Sequence, residues 1–170
     1  MNIRLANKQD LPVLERMFNG IVAEMNKNGI YIWNEYYPFE EFENDIEQSR
    51  LYLLVDERNI CAAFALFDSI TGAECFKWET NNVKPIYIGR LGVNVDYLRK
   101  GIGTRVIEEA ITLAKQRQGE YLRVTVVKEN IPAINLYLKN GFNQVDGVYN
   151  EYSETLGKTI QEIGFEFKIQ

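Results

Sequence analysis

The sequence predicts a mixed α/β fold, one twisted sheet with helices on both faces. Three observations predict it. Apolar residues recur at helical spacing in four segments. Short runs rich in β-branched and aromatic residues lie between them. Gly, Pro and Asn mark most of the junctions. A length of 170 residues suits one domain with a sizeable core, so residues 1–170 are read as a single domain. No repeat, low-complexity stretch or linker divides them.

Asn2 to Leu5 reads as a first strand. Asp10 is expected to cap the first helix, with Pro12 tolerated in its first turn. Leu11, Leu14, Met17, Phe18, Ile21, Val22 and Met25 keep helical spacing, and Asn28-Gly29 should stop that helix. Ile30 to Pro38 is aromatic and irregular. Phe39 to Gln48 reads as a short helix with Phe42 and Ile46 on one face. Leu51 to Asp56 and Ile60 to Asp68 flank Glu57-Arg58-Asn59 as a hairpin. Ser69 to Pro85 is a polar connection with a short irregular strand around Phe76-Lys77-Trp78. Ile86 to Val95 is the next strand. Thr104 to Gln118 is a helix that turns Val106, Ile107, Ala110 and Ala114 inward and ends at Gly119. Tyr121 to Val127 is an almost continuous apolar and β-branched strand. Ile131 to Asn140 is a helix opened near Pro132 and closed by Asn140-Gly141. Phe142 to Tyr149 and Ile160 to Ile169 form a last pair of strands. The strand–helix–strand unit from Ile86 to Val127 should be a parallel crossover.

Composition excludes several chemistries. There is no histidine, so histidine triads, histidine bases and histidine metal ligands are ruled out. Two cysteines, Cys61 and Cys75, with no CxxC spacing argue against a zinc site or a disulfide framework, and no metal is expected. A net charge of −5 and a pI near 5.0 point away from nucleic acid as a partner. They suit a cationic substrate instead. The start, Met1-Asn2-Ile3-Arg4, lacks the apolar core of a leader, and no apolar run reaches membrane-spanning length. No membrane partner is expected, and the cytoplasm is the expected location.

The chemistry concentrates at Tyr97-Leu98-Arg99-Lys100-Gly101-Ile102-Gly103-Thr104. A strand that turns through two glycines into a helix presents unpaired backbone N–H groups at the positive helix end. That is an anion site, and glycine lets a phosphate approach the backbone closely. The dinucleotide fingerprint fails, because Val106 stands where its third glycine would be. The triphosphate loop G-x-x-x-x-G-K-[ST] is absent. A plain structural turn is the alternative reading of the two glycines.

Three stretches resemble the GNAT superfamily of acetyl-CoA-dependent N-acetyltransferases. Tyr87-Ile88-Gly89-Arg90-Leu91-Gly92-Val93-Asn94-Val95 resembles its central strand. Arg99-Lys100-Gly101-Ile102-Gly103-Thr104 resembles its pyrophosphate loop. Asn130 to Phe142, which contains Leu136-Tyr137 and ends in Gly141-Phe142, resembles its second motif. Leu98 departs from the Gln or Arg that usually opens the loop. The resemblance implies a mostly antiparallel sheet with a central parallel, splayed strand pair, and acetyl-CoA as cosubstrate. It implies that Leu91, Val93 and Val95 offer backbone groups to the pantetheine arm. The amides of Arg99, Lys100, Gly101, Ile102, Gly103 and Thr104 would hold the pyrophosphate. An N–H between Leu91 and Val93 would polarise the acetyl carbonyl.

By the same resemblance, Tyr137 is the residue expected to carry proton chemistry. A phenol of pKa about 10 is protonated at neutral pH and can meet a thiolate whose thiol has a pKa of about 8.5. A packed tyrosine on an amphipathic helix is its alternative reading. Asn130 reads as a helix cap and, by resemblance, as a cofactor contact. The region between the first two helices lines the family's acceptor site, which implicates Trp33, Glu35, Tyr36 and Tyr37. Aromatics beside an acid suit a cationic or apolar amine; a loop that covers the sheet is the bland alternative. Glu35, Asp68 and Glu79 are candidates for a base by position alone. The implied partner is a small-molecule or peptide amine. Family members often pair through edge or C-terminal strands, so a monomer and a homodimer both stay open. A non-catalytic acyl-CoA-binding regulatory module, or a structural domain with a vestigial loop, is the rival class. Retention of Tyr137 speaks against the sensor.

Overall fold

The computed structural model describes all 170 residues. Seven strands form one sheet in the order β1-β2-β3-β4-β5-β7-β6. The strands are β1 Asn2–Leu5, β2 Leu51–Asp56, β3 Asn59–Phe67, β4 Pro85–Val93, β5 Tyr121–Val127, β6 Asn143–Ser153 and β7 Lys158–Lys168. Four helices punctuate them: α1 Leu11–Lys27, α2 Phe42–Glu47, α3 Ile102–Gln116 and α4 Ile131–Lys139. β1 with β2, β2 with β3, β5 with β7 and β6 with β7 are antiparallel. β4 and β5 are the parallel pair, in register from Pro85–Tyr121 to Tyr87–Arg123. This is the mixed, mostly antiparallel sheet with one parallel pair that the sequence predicts.

Two compact units can be told apart, and each is built on its own core. The first comprises Met1–Ala65 and Arg90–Val106. Its α1 buries Leu14, Met17, Phe18 and Ile21, the stripe read from the sequence. The α1 face lies against β4 at Gly92, where an added Cβ would stand 2.7 Å from Phe18 and 2.9 Å from Ile21. The helix entry differs from expectation. Asn7, not Asp10, is the cap: its side chain accepts from the Gln9 amide, and the Asp10 carboxylate bonds back to the Asn7 amide. Asp10 is spoken for by Arg4 at 2.7 Å, and that guanidinium holds its carboxyl below the usual range. In α2, Phe42 is buried as expected, but the second buried residue is Asp45 rather than Ile46.

The second unit comprises Leu66–Gly89 and Ile107–Gln170. Residues Ile107, Ala110 and Ala114 of α3 are buried, as their spacing predicts. Phe76, Trp78 and Tyr87 form a cluster joined by Phe67, Val145 and Tyr149. The irregular strand expected near Phe76 is a single bridge from Phe76 to Gly147. Close approach explains the glycine: a Cβ at Gly147 would fall 2.2 Å from the Cys75 carbonyl oxygen. Below this cluster Arg123 and Glu166 form a buried ion pair at 3.0 Å, with Arg123 Nη2 donating to the Thr80 carbonyl at 2.6 Å.

Candidate active site

In the first unit, β4 continues past its last β5 partner as Ile88–Val93, and Leu91 and Val93 are half-buried. The strand end is anchored by Asn94. Its amide donates to the Cys61 carbonyl at 2.9 Å, and its side chain donates to the Ile60 carbonyl at 2.9 Å. The same side chain accepts from the Asp96 amide and starts a helical turn over Val95–Tyr97. The chain then swings through Arg99 at φ +60 and Gly101 at φ +76 into α3. Arg105 is the residue that donates back to the Gly101 carbonyl, at 3.1 Å. The amides of Ile102 and Gly103 therefore precede the first helical bond. The helix starts at Ile102, two residues earlier than expected, so Gly103 belongs to its first turn.

Gly101 meets the demand of a phosphate cradle. Its conformation is left-handed, and a Cβ built there would meet nothing within 4 Å. The space is open, and a side chain would fill it. Arg99 and Lys100 are exposed beside it. Lys100 Nζ donates to the Asp96 carbonyl at 2.8 Å and sits 5.1 Å from the Tyr97 ring centre. Leu91, Val93, Val95 and residues 99–104 thus belong to one unit and one continuous stretch of chain.

The aromatic segment belongs to the same unit. Asn34 Oδ1 accepts from the amides of Tyr36 and Tyr37, both at 2.9 Å, and pins the turn. Trp33 lies 5.8 Å from the Phe18 ring. The Arg90 guanidinium lies 5.9 Å from the Tyr37 ring centre. Glu35 and Tyr36 point out to solvent. Of the four expected acceptor residues, Trp33 and Tyr37 approach the α1 and β4 side chains, and Glu35 and Tyr36 do not.

Residue reading along the sequence missed Arg90 and Asp45. Asp45 is 0% exposed, and it accepts from Arg90 at 2.7 Å and from Arg50 at 2.6 Å. Arg90 also reaches Glu41 at 3.5 Å. This ionic knot ties α2 to β4 in the middle of the motif strand. A polar residue among the apolar positions of α2 was the signal available.

In the second unit, Tyr137 is 4% exposed and packs edge-on against Phe142 at 5.2 Å. Burial pushes its phenol well above the ordinary tyrosine range, so its proton stays on at any working pH. Asn130 does cap α4, with Oδ1 accepting from the Ala133 amide at 3.3 Å. Its side-chain amide group keeps two donors in addition. Among the positional candidates for a base, Glu35 and Asp68 are exposed, and Glu79 accepts from the Tyr121 hydroxyl at 3.0 Å.

The acetyltransferase (GNAT) family model matches residues 16–142, which span α1 through Phe142. The chain belongs to this family. It is therefore an acyltransferase. A curated relative, "Putative phosphinothricin acetyltransferase YwnH" of Bacillus subtilis (strain 168), is 26% identical over 164 residues, 93% of each chain. Among solved structures, the ribosomal-protein-S18-alanine N-acetyltransferase of Escherichia coli superposes with a TM-score of 0.68 at 20% identity, over 99% of this chain and 94% of that one. The Salmonella typhimurium yncA structure, with its cofactor acetyl-CoA, superposes with a TM-score of 0.66 at 15% identity, over 100% and 94%. These two likenesses establish the GNAT fold. No helix is long and apolar enough to cross a membrane.

Proposed function

We propose that residues 1–170 act as one N-acetyltransferase domain that moves the acetyl group of acetyl-CoA to a primary amine of a small molecule or peptide. Attack is direct, in a ternary complex. One observation carries this reading: β4 runs on past its β5 partners into a glycine turn that opens α3. A strand end with spare backbone groups suits an extended amide-bearing arm, and the turn suits a pyrophosphate.

Acetyl-CoA supplies an activated acyl group as a thioester. The residues of this chain then have distinct tasks. The backbone of Leu91, Val93 and Val95 pairs with the pantetheine amides. The amides of residues 99–104 hold the pyrophosphate, with Arg99 and Lys100 adding positive charge nearby. An N–H between Leu91 and Val93 stabilises the charge that develops on the acetyl oxygen. Asn130 offers its side-chain amide to the cofactor. Tyr137 hydrogen-bonds the departing sulfur and returns a proton to it. Its raised pKa keeps it a donor throughout the neutral and alkaline range. Trp33, Glu35, Tyr36 and Tyr37 form the acceptor wall. The cytoplasm, where free cysteines such as Cys61 and Cys75 persist, is the compartment that fits.

The test is thermal unfolding with acetyl-CoA, with NADH and ATP as controls. Ligand at about 100 times its Kd adds about 2.7 kcal/mol, a rise of roughly 5–10 °C for a chain of this size. A rise with acetyl-CoA, followed by free-thiol release in the presence of amines, is the expected result. No shift at millimolar acetyl-CoA would overturn the reading.

A further inference from the structure

Alternation along β7 puts Glu162, Gly164 and Glu166 on one face of the sheet. Register sets Val127, Thr125 and Arg123 of β5 opposite them, and Tyr149 of β6 opposite Glu162. The other face carries Phe167, which packs on Phe142, which packs on Tyr137. Tyr137 and Glu162 thus serve opposite faces of the same strands.

The two acids of this face are treated differently. Glu166 is 4% exposed and fully engaged, by Arg123 and by the Glu79 amide at 2.7 Å. Glu162 is half-buried, and no Lys or Arg pairs with it. Its hydrogen-bond partner is the Thr125 hydroxyl. Thr125 is the one residue of β5 that escapes full burial, so the face opens at this point. From β6, Tyr149 and Glu151 face Glu162, and Glu74 and Cys75 of the β3–β4 connection approach Tyr149. No cation stands among these groups. Burial, with a smaller push from Glu151, lifts the Glu162 carboxyl above the usual carboxylate range. A half-buried acid without a counter-charge weakens the fold. It suits proton acceptance, because such an acid is a stronger base than one in water.

We propose that Glu162 is the general base, accepting the proton that the acceptor ammonium must lose, directly or through one water. The proposal rests on the acetyl-transfer reading. A lysine-like amine is neutral only about once in 2,500 molecules at pH 7, so the step needs a base. The ammonium gives one proton to the Glu162 carboxylate. Its freed electron pair forms the C–N bond, the C–S bond breaks, and sulfur takes the bonding pair. Nitrogen loses its second proton as the amide forms, and sulfur gains one to become a thiol. Glu162 returns its proton to solvent. Ammonium plus thioester gives amide plus thiol plus one proton.

The test compares wild type with Glu162→Gln, using acetyl-CoA and two acceptors. Benzylamine is an ammonium at neutral pH, and aniline is a neutral amine. At pH 7 the variant should lose about 10²–10⁴-fold in kcat/KM for benzylamine and less than about threefold for aniline, because aniline has no such proton to lose. The wild-type profile for benzylamine should level off once Glu162 is ionised. The variant's profile should keep climbing toward the pKa of the amine. Glu162→Asp keeps a carboxylate and should recover part of the loss. Stabilisation by acetyl-CoA should be unchanged in both variants. Equal losses for the two acceptors, a wild-type profile that climbs like the variant's, or no turnover of either acceptor by the wild type would overturn the assignment. Failure of acetyl-CoA to stabilise the wild type would instead remove the acetyl-transfer reading beneath it.

Discussion

Tyr137 shows how burial shapes a role at the scale of one residue. Its ring fills space beside Phe142, and its hydroxyl is held in a medium that penalises the phenolate. A phenol pushed upward gives up its proton reluctantly but never lacks one at working pH. Its contribution is therefore a hydrogen bond to sulfur as negative charge grows there, with transfer completing as the thiolate leaves. Tyr137→Phe keeps the ring and removes only that donor. Turnover should fall by about 10²–10³-fold while acetyl-CoA binding, measured by calorimetry, is unchanged. The wild-type rate should show no alkaline fall from Tyr137 ionising anywhere below pH 10, because its pKa is raised. A parallel loss of cofactor binding would make Tyr137 a packing residue only. Asp45 makes the contrasting case. It is buried like Tyr137 but held by two guanidiniums, which assigns it to architecture rather than proton transfer.

At the scale of elements, the turn from β4 into α3 separates two uses of glycine. Gly92 lets α1 close on β4: an added Cβ would stand 2.7 Å from Phe18. Gly101 touches nothing and is needed for its left-handed backbone and for the open space above it. Gly92→Ala should therefore lower the unfolding free energy by about 1–3 kcal/mol through overpacking. Gly101→Ala should cost only about 1 kcal/mol of stability, from its φ. It should weaken acetyl-CoA binding at least tenfold, since the new methyl occupies the phosphate's approach. Denaturant unfolding and ligand titration of both variants read the two costs separately. Equal affinity for acetyl-CoA in Gly101→Ala would return the loop to a plain structural turn. The boundaries of these elements were largely legible, because each glycine and proline acts on its own backbone. Ile102 opening α3 was not, since glycine's low helix propensity hides its place in a first turn. The cap at Asn7 was missed for a similar reason. Asn7 and Asp10 are both good cappers, and only the Arg4 contact shows which one is otherwise engaged.

For the whole molecule, the order of strands and helices was readable because apolar period and turn residues are local signals. The ionic knot of Arg90 with Asp45 and the unpaired Glu162 were not. Both depend on which residues meet across the sheet, and one slip in register would turn Glu162 to the other face. Net charge is the one molecular-scale property that the chain states outright. At −5, the long-range field repels a polyanionic cosubstrate and draws a cationic amine. Arg99 and Lys100, exposed at the mouth of the glycine turn, oppose that field locally. Salt screens both terms, and at 0.15 M the Debye length is about 8 Å, so the nearby cations are felt more than distant acids. In the wild type, acetyl-CoA binding should weaken as salt rises from 50 to 500 mM. In Arg99→Gln/Lys100→Gln the local attraction is gone and the repulsive field remains. Affinity should then be about 3–10-fold lower at 50 mM salt, and it should rise, not fall, as salt is added. Titration by calorimetry at the two salt concentrations decides this by sign alone. Matching salt slopes in the two proteins would mean that backbone amides hold the pyrophosphate without help from either side chain.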